Sequence, residues 1–198
     1  MTMAEQSGDL GRDMARVAVF AALLVVLGTV TIPMPGGVPV TAQTLGVMLA
    51  GAVLGPRLAP LSVVLVLLLA AVGLPVLSGG RGGLGVFLGP TAGYLIGWIA
   101  GAIVVGLIVR SGRPSWWRVG LGALVGGVLV VYLFGIPVQA LVLGVDLWPT
   151  AVSSLVFLPG DLLKVVAATV LTVMLRRAYP RAFGTRDSAA APASARAA

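Results

Sequence analysis

The sequence has few charged residues. Only 10% of its 198 residues are Asp, Glu, Lys or Arg, whereas 59% are hydrophobic. A water-soluble domain carries roughly 25% charged residues on its solvated surface. The charges are also missing from long stretches, as expected for segments that lie in lipid. The composition therefore predicts an integral membrane protein.

Cysteine and histidine are absent altogether. The chain therefore has no disulfide, no thiolate nucleophile and no Cys- or His-ligated metal, and it lacks the usual proton shuttle of enzymes. Its single lysine, Lys164, follows Leu163, which excludes a GxxxxGK[ST] phosphate loop. We expect no catalytic site, no metal and no cofactor in this chain, so any ATP-driven role needs a partner subunit.

Basic residues exceed acidic ones, and the formal net charge is +7. Nucleic-acid binding would need these cations gathered on one solvated face, but here they interrupt apolar runs, so no nucleic-acid partner is expected. The segment Gly80-Arg-Gly-Gly-Leu-Gly85 matches GxGxxG. Because neither a preceding strand nor a βαβ unit fits between two membrane helices, we reject a dinucleotide site.

Charged residues mark the ends of the apolar stretches. The uncharged stretch 17–56 is long enough for two spans of about 20 residues, and Ile32-Pro-Met-Pro-Gly-Gly-Val-Pro39 divides it because this segment cannot continue a helix. A short outer helix is predicted near 150–157. The predicted spans are, in order, about 15–32, 42–56, 58–76, 90–109, one from about 119 that is kinked or ends at Gly135-Ile-Pro137, and one from Pro159 to about 177.

The positions of the arginines predict the topology, because cytoplasmic loops are enriched in cations. With six spans and the N-terminus inside, only Arg81 falls on an outer connection and Lys164 lies within a span. The cytoplasmic cations are Arg12, Arg16, Arg57, Arg110, Arg113, Arg118, Arg176, Arg177, Arg181, Arg186 and Arg196. A cleaved signal peptide over residues 12–32 is the weaker alternative, because the run leads into prolines and not into an A-x-A site.

We therefore predict an all-α integral membrane protein, a bundle of six transmembrane helices with both termini cytoplasmic. Residues 1–14 form a cytoplasmic N-terminal segment and residues 15–177 form the membrane domain. Residues 178–198 form a cytoplasmic, disordered tail that is low in large apolar residues.

Small residues recur at intervals of four on two predicted helices. Gly89, Gly93, Gly97 and Gly101 leave one face of the fourth span bare, which favours close packing of another helix over a ligand role. Ala18 and Ala22 form a similar pair on the first span. That pair serves either internal packing or the docking of a separate membrane subunit.

Asp161 and Lys164 are ionisable residues at the start of the last span, where such groups tend to mark function. Their i, i+3 spacing places them on one helix face. They lie toward the outer side with Arg81 and the proline-rich segment 33–39. Two cations and one anion leave a net charge of +1, which suits a small anionic ligand with hydrogen-bond donors. An interfacial capping pair is the alternative.

Six spaced motifs occur in order along the apolar part of the chain. They are Ile32-Pro-Met-Pro-Gly-Gly-Val-Pro-Val-Thr-Ala-Gln-Thr-Leu-Gly-Val, Ala50-Gly-Ala-Val-Leu-Gly-Pro, Gly73-Leu-Pro-Val, Gly82-Gly-Leu-Gly, Gly89-Pro-Thr-Ala-Gly-Tyr-Leu-Ile-Gly and Phe157-Leu-Pro-Gly-Asp-Leu-Leu-Lys164. Together they resemble the BioY family, the biotin-specific substrate-capture component of energy-coupling-factor transporters, over about residues 15–177. The resemblance implies a six-helix protein of a prokaryotic plasma membrane that binds biotin from outside, with a transmembrane coupling subunit and two ATP-binding cassette ATPases as partners.

The resemblance also implies site residues. Asp161 and Lys164 match the family's polar pair and Arg81 matches its loop arginine. It implies Asp161 on the ureido ring and either Arg81 or Lys164 on the valerate, and the residues leave open which. Ala18 and Ala22 match the small-residue motif that docks the coupling subunit. The residues expected to line the pocket are Tyr94, Thr41, Gln43 and Thr44.

Other functions fit the sequence less well. The chain could capture another small anionic vitamin, or it could be a self-sufficient secondary transporter or channel. A proton-coupled carrier would need a relay of titratable groups, but beyond Asp161 no acid lies in a predicted span. A membrane enzyme is a further alternative, but the sequence has no His, no Cys and no pair of carboxylates within a predicted span. The sequence leaves open whether the protein transports alone, as a homo-oligomer, or only with a coupling module.

Overall fold

The computed structural model describes residues 3–34, 37–112 and 115–179. A π-helical turn, Val125–Val130, joins two of the helices, and short 3₁₀ turns lie at Ser78–Gly80, Leu84–Phe87 and Leu155–Phe157. Strands β1, Thr31–Ile32, and β2, Val40–Thr41, pair antiparallel. The α-helices are α1 Met3–Gly28, α2 Gln43–Ala71, α3 Ala92–Arg110, α4 Trp116–Leu124, α5 Val131–Leu143, α6 Leu147–Ser154 and α7 Leu158–Ala178.

Four helical segments of the described chain are long and apolar enough to cross a membrane. They are Gln43–Ala71, Ala92–Arg110, Trp116–Leu143 and Leu147–Ala178. The protein is thus a mostly helical, multi-pass membrane protein, as the composition predicts.

Helix α2 folds back on itself at Gly55. That residue has φ 80° and ψ −177°, a conformation open to glycine but strained for other residues. A straight helix of this length would be roughly 43 Å long, yet the Gln43 side chain at its start bonds to Val76 and Ser78 beyond its end. The predicted break between the second and third spans at Gly55-Pro56 therefore exists.

Arg110 holds this turn in place. Its Nη2 donates to the carbonyl oxygen of Leu54 at 2.8 Å, and its guanidinium occupies the position that a side chain at Gly55 would need. The bond satisfies a carbonyl that the end of the first half of α2 leaves without a helical partner.

Helix α3 packs against α2, α5 and the π-helical turn. Side chains at Gly93, Gly97 and Gly101 would collide with Phe134, Val131 and Gly126 respectively. The packing interpretation of the glycine repeat is therefore confirmed for these three residues. Gly89 has no such close neighbour.

The sequence predicts that the fifth span is kinked or ends at Gly135-Ile-Pro137. The second alternative is wrong, because α5 continues through Pro137 to Leu143. Membrane helices tolerate proline where neighbouring groups satisfy the freed backbone. The absence of a side chain at Gly135 makes room for the Tyr94 ring, which a side chain at that position would overlap.

Other boundaries differ from the predicted ones. α1 begins at Met3 and ends at Gly28, well before residue 32. The second half of α2 ends at Ala71 and not near 76, because Gly73 takes φ +98°, the left-handed conformation that commonly stops a helix. The short helix predicted near 150–157 lies at Leu147–Ser154, slightly earlier than predicted. Most of the predicted disordered tail, 180–198, lies outside the described residues.

Candidate ligand-binding site

A cavity lies at one end of the helical bundle, between residues of several helices and loops. Its walls come from the segment 38–41, the start of α2, the loop 77–81, one face of α3, the π-helical turn with the start of α5, and the start of α7. The empty space between these walls, its open mouth included, is about 630 Å³. All seven residues predicted to bind substrate line it: Thr41, Gln43, Thr44, Arg81, Tyr94, Asp161 and Lys164.

The charged pair on α7 lies in the first turns of that helix. Lys164 Nζ donates to Asp161 Oδ1 at 2.8 Å, and the side chains are 14% and 8% exposed, respectively. The i, i+3 spacing produces this contact, and the helix dipole favours an anion at this end. Each charge thus has a partner within the protein, which lowers the cost of burying it.

Two further side chains complete the pair. Tyr132 O–H donates to Asp161 Oδ2 at 2.6 Å, and Lys164 Nζ also donates to Thr44 Oγ1 at 3.0 Å. Both carboxylate oxygens are therefore engaged, but each keeps lone pairs for a further donor. Asp161 is an oriented acceptor whose charge is balanced by its neighbour.

Arg81 lies apart from this pair, on the loop that follows α2. Its Nε and Nη2 donate to the backbone oxygen and the Oγ of Ser78, both at 3.1 Å. Gly79 and Gly80, with φ of 71° and 70°, make the tight turn that allows these bonds. Within the described residues Arg81 has no acidic partner, so it is the cavity's cation without a balancing charge.

Gln43 is fully buried and holds the cavity wall together. Its Nε2 donates to the carbonyl oxygens of Leu24 and Val76, and its Oε1 accepts from Ser78 N–H. Those bonds use both of its donors, so its predicted contact with the ligand is confined to what Oε1 can still accept. Thr41 Oγ1 similarly accepts from the Gln43 backbone N–H at 3.2 Å.

Tyr94 closes the wall formed by α3. Its hydroxyl donates to Gln139 Oε1 at 2.8 Å, and its ring lies edge-to-face with that of Tyr132, 6.4 Å between centroids. The hydroxyl thus bonds to a residue outside the cavity lining, although Tyr94 itself is part of that lining.

Sequence reasoning missed the apolar lining and three residues with hydroxyl groups, Ser78, Thr91 and Tyr132. Thr91, Leu95 and Trp98 share the cavity-facing side of α3 with Tyr94, and their helical spacing from Tyr94 was a usable signal. Tyr132 follows a π-helical turn, whose extra residue changes the helix face and is not readable from periodicity. The other missed lining residues are Val38, Pro39, Val40, Leu77, Gly127, Val131 and Phe157.

Ala18 and Ala22 lie away from the cavity. Both are exposed on α1, whereas Ala21 and Leu24 on the same helix are buried in the core. The described residues contain no group of three or more carboxylate, histidine or cysteine side chains that could hold a metal ion.

Comparison with known proteins gives a consistent result. The chain matches the BioY family over residues 3–181. It is 46% identical over 179 residues to a biotin transporter BioY of Rhizobium etli, with 85% of this chain and 95% of the relative covered. A probable biotin transporter BioY of Bacillus subtilis is 43% identical, with 84% and 91% covered.

A solved structure also matches the fold. It is the crystal structure of the S-component for biotin from an ECF-type ABC transporter, with TM-score 0.79, 32% identity, and 89% of this chain and 95% of that chain covered. Fold and cavity together define a multi-pass membrane protein with a cavity among its helices. The chain belongs to the BioY family.

Proposed function

We propose that the protein captures biotin at the outer side of the membrane for ATP-driven uptake, as the substrate-specific subunit of an energy-coupling-factor transporter. It is a transport component and not an enzyme. The observation that carries the proposal is the cavity's polarity, with the acceptor Asp161 on one wall and the unbalanced cation Arg81 on another. Biotin has ureido N–H donors at one end and a carboxylate at the other, which matches this arrangement.

The two cations of the cavity take different roles in this proposal. Lys164 is committed to Asp161 and Thr44, so the pair on α7 is neutral as a unit. Arg81 keeps its charge unbalanced within the described residues. We therefore assign the valerate carboxylate to Arg81 and the ureido N–H groups to Asp161, because a charge-assisted hydrogen bond forms at each end of the ligand.

Six membrane crossings are part of the proposal. The reversal of α2 at Gly55 supplies two of them, and α1, α3, the α4–α5 segment and α7 supply the rest. Arg57 lies at that reversal and Arg110 bonds to it, at the end of the bundle opposite the cavity. Since cations favour the cytoplasmic side, the cavity opens outward and both termini lie inside, in the plasma membrane of a prokaryote. The boundaries 1–14, 15–177 and 178–198 stay predictions.

The exposed pair on α1 is the proposed docking surface for the transmembrane coupling subunit. Small side chains four residues apart allow a second helix to approach closely, and Ala18 and Ala22 both face away from the core. Two ATP-binding cassette ATPases would then supply the energy. The absence of a cofactor and of a nucleic-acid partner stays a prediction, and whether the chain forms a homo-oligomer stays open.

Equilibrium binding of radiolabelled biotin to the detergent-purified chain tests the function. We expect saturable binding of labelled biotin that unlabelled biotin displaces. Folate and pantothenate should not displace it, because these anionic vitamins lack the ureido ring fused to a thiolane. Saturable binding of a different labelled anionic vitamin, together with no binding of biotin, would assign a different substrate to the protein. Biotin uptake into liposomes that contain the chain alone would favour a self-sufficient transporter.

A further inference from the structure

We infer that Tyr132 is a positioning residue that fixes the Asp161 carboxylate for the N–H donors of the ligand, an inference that rests on the proposed function. Tyr132 O–H to Asp161 Oδ2 is, at 2.6 Å, the shortest side-chain hydrogen bond among the residues whose bonds are described. It comes from a neighbouring helix, whereas Lys164, the other partner of the carboxylate, lies on the same helix as Asp161.

The two partners hold the carboxylate from different sides. The final torsion of an aspartate side chain is soft, with broad, roughly two-fold wells. With Lys164 alone, the carboxylate could turn to share both oxygens with the ammonium. Because Tyr132 donates to Oδ2 while Lys164 donates to Oδ1, each carboxylate oxygen has its own donor. The carboxylate is then fixed in one orientation, and so are the lone pairs that are left to accept from the ligand.

The local backbone brings Tyr132 to this position. It follows the π-helical turn Val125–Val130, and Gly127, Val131 and Tyr132 together line the cavity. A π-helical turn inserts one extra residue and so changes which side chains share a helix face. Gly127 allows Met48 to pack against the turn, since a side chain there would overlap Met48.

The Tyr132 ring is itself supported. It meets the Tyr94 ring edge-to-face, with 80° between the ring planes, a preferred geometry for aromatic pairs. Tyr94 in turn is held by Gln139 and by its seat on Gly135. Phenylalanine at position 132 can keep this ring contact and lose only the hydroxyl, which makes Tyr132→Phe an informative variant.

The test is a double-mutant cycle on the full chain, read by equilibrium binding of radiolabelled biotin. We expect Tyr132→Phe to weaken biotin binding about three- to thirtyfold in the parent chain. In the Asp161→Asn background the same change should weaken binding by no more than about twofold, because the effects of substitutions at two coupled residues do not add. Tyr94→Phe is the matched control. Its hydroxyl bonds to Gln139 and not to Asp161, so its effect should multiply with that of Asp161→Asn.

A second ligand separates positioning from general packing. A biotin derivative methylated on the ureido nitrogens lacks the donors that Asp161 accepts, so Tyr132→Phe should change its affinity by no more than about twofold. Tyr132→Gln and Tyr132→Leu provide a second pair of variants of similar size. Only glutamine can donate to Asp161, so it should retain more biotin affinity than leucine.

Three results would overturn the inference while leaving the proposed function intact. They are parent-like affinity in Tyr132→Phe, effects of Tyr132→Phe and Asp161→Asn that simply multiply, and equal affinity of the glutamine and leucine variants. A parent chain that does not bind biotin would overturn both the function and the inference.

Discussion

The side-chain oxygen of Gln43 accepts a hydrogen bond from the backbone N–H of Ser78 at 3.2 Å, across 35 positions of the chain. Ser78 in turn accepts two hydrogen bonds from Arg81. The cation of the cavity is therefore located relative to α2 through a buried amide that also bonds to α1 through Leu24. Gln43, which the sequence predicts to line the pocket, thus holds the loop that carries Arg81.

Gln43→Leu should destabilise the protein and weaken biotin binding together. The change leaves the carbonyls of Leu24 and Val76 and the N–H of Ser78 without their partner. We expect a loss of about 2–4 kcal/mol in the free energy of unfolding, because buried groups left unpaired are costly. Thermal unfolding in detergent, followed by tryptophan fluorescence, measures it.

Gln139→Leu is the matched control for that change. Gln139 is also buried, but its described hydrogen bond is the one to Tyr94, so it should lose about half as much stability or less. Equal losses for both variants would show that Gln43 has no special role in holding the loop.

Asp161→Asn should weaken biotin about ten- to a hundredfold, because a hydrogen bond to a charged group contributes roughly 1.5–3 kcal/mol. The amide keeps the shape but loses charge and leaves Lys164 with a weaker partner. Isothermal titration of the purified chain gives the affinity. Asp146→Asn is the matched control, since Asp146 is exposed and outside the cavity lining. Parent-like affinity in Asp161→Asn would favour the interfacial capping pair.

The charged part of the site was predictable, because helical periodicity alone places Asp161 and Lys164 on one face. The reversal at Gly55-Pro56 was also readable, since proline and glycine there interrupt the apolar run. In both cases the local pattern and the tertiary structure agree.

Tyr132 and Gly135 were not predictable, for two different reasons. The π-helical turn shifts the helix face by a residue, which moves Tyr132 into the cavity without any change in composition. Gly135 has the local pattern of a helix breaker, but the absence of a side chain there makes room for the Tyr94 ring from another helix. That contact between helices is not encoded in the local sequence.

Reporter fusions test the proposed orientation. Fusions at residue 112 and after residue 185 should read cytoplasmic, and a fusion within 80–85 should read external, because the described arginines other than Arg81 lie toward the end of the bundle opposite the cavity. Alkaline phosphatase and a fluorescent protein supply the paired readouts. A cytoplasmic signal from the 80–85 fusion would contradict the six-crossing arrangement.

Ala18→Trp or Ala22→Trp should separate uptake from binding. A bulky side chain on the exposed face of α1 holds a partner helix away but does not reach the cavity. We expect ATP-driven biotin uptake in cells with the coupling subunit and ATPases to fall, while biotin binding to the purified chain stays at the parent level. Leu141→Trp, at a position 82% exposed on α5, controls for bulk on the lipid-facing surface. Loss of binding together with uptake would indicate internal packing instead of docking.

Arg81→Ala tests which cation holds the ligand carboxylate. Because Lys164 is paired with Asp161, we expect this change to weaken biotin about ten- to a hundredfold. It should weaken biotin amide much less, because the amide has no carboxylate for the guanidinium to hold. Competition of each ligand with radiolabelled biotin measures the two ratios, and Arg57→Ala, at the opposite end of the bundle, controls for the loss of a positive charge. If Arg81→Ala weakens acid and amide equally, then Arg81 shapes the loop through Ser78 and the carboxylate is held by Lys164 or by water. Parent-like binding of both ligands would remove Arg81 from the site.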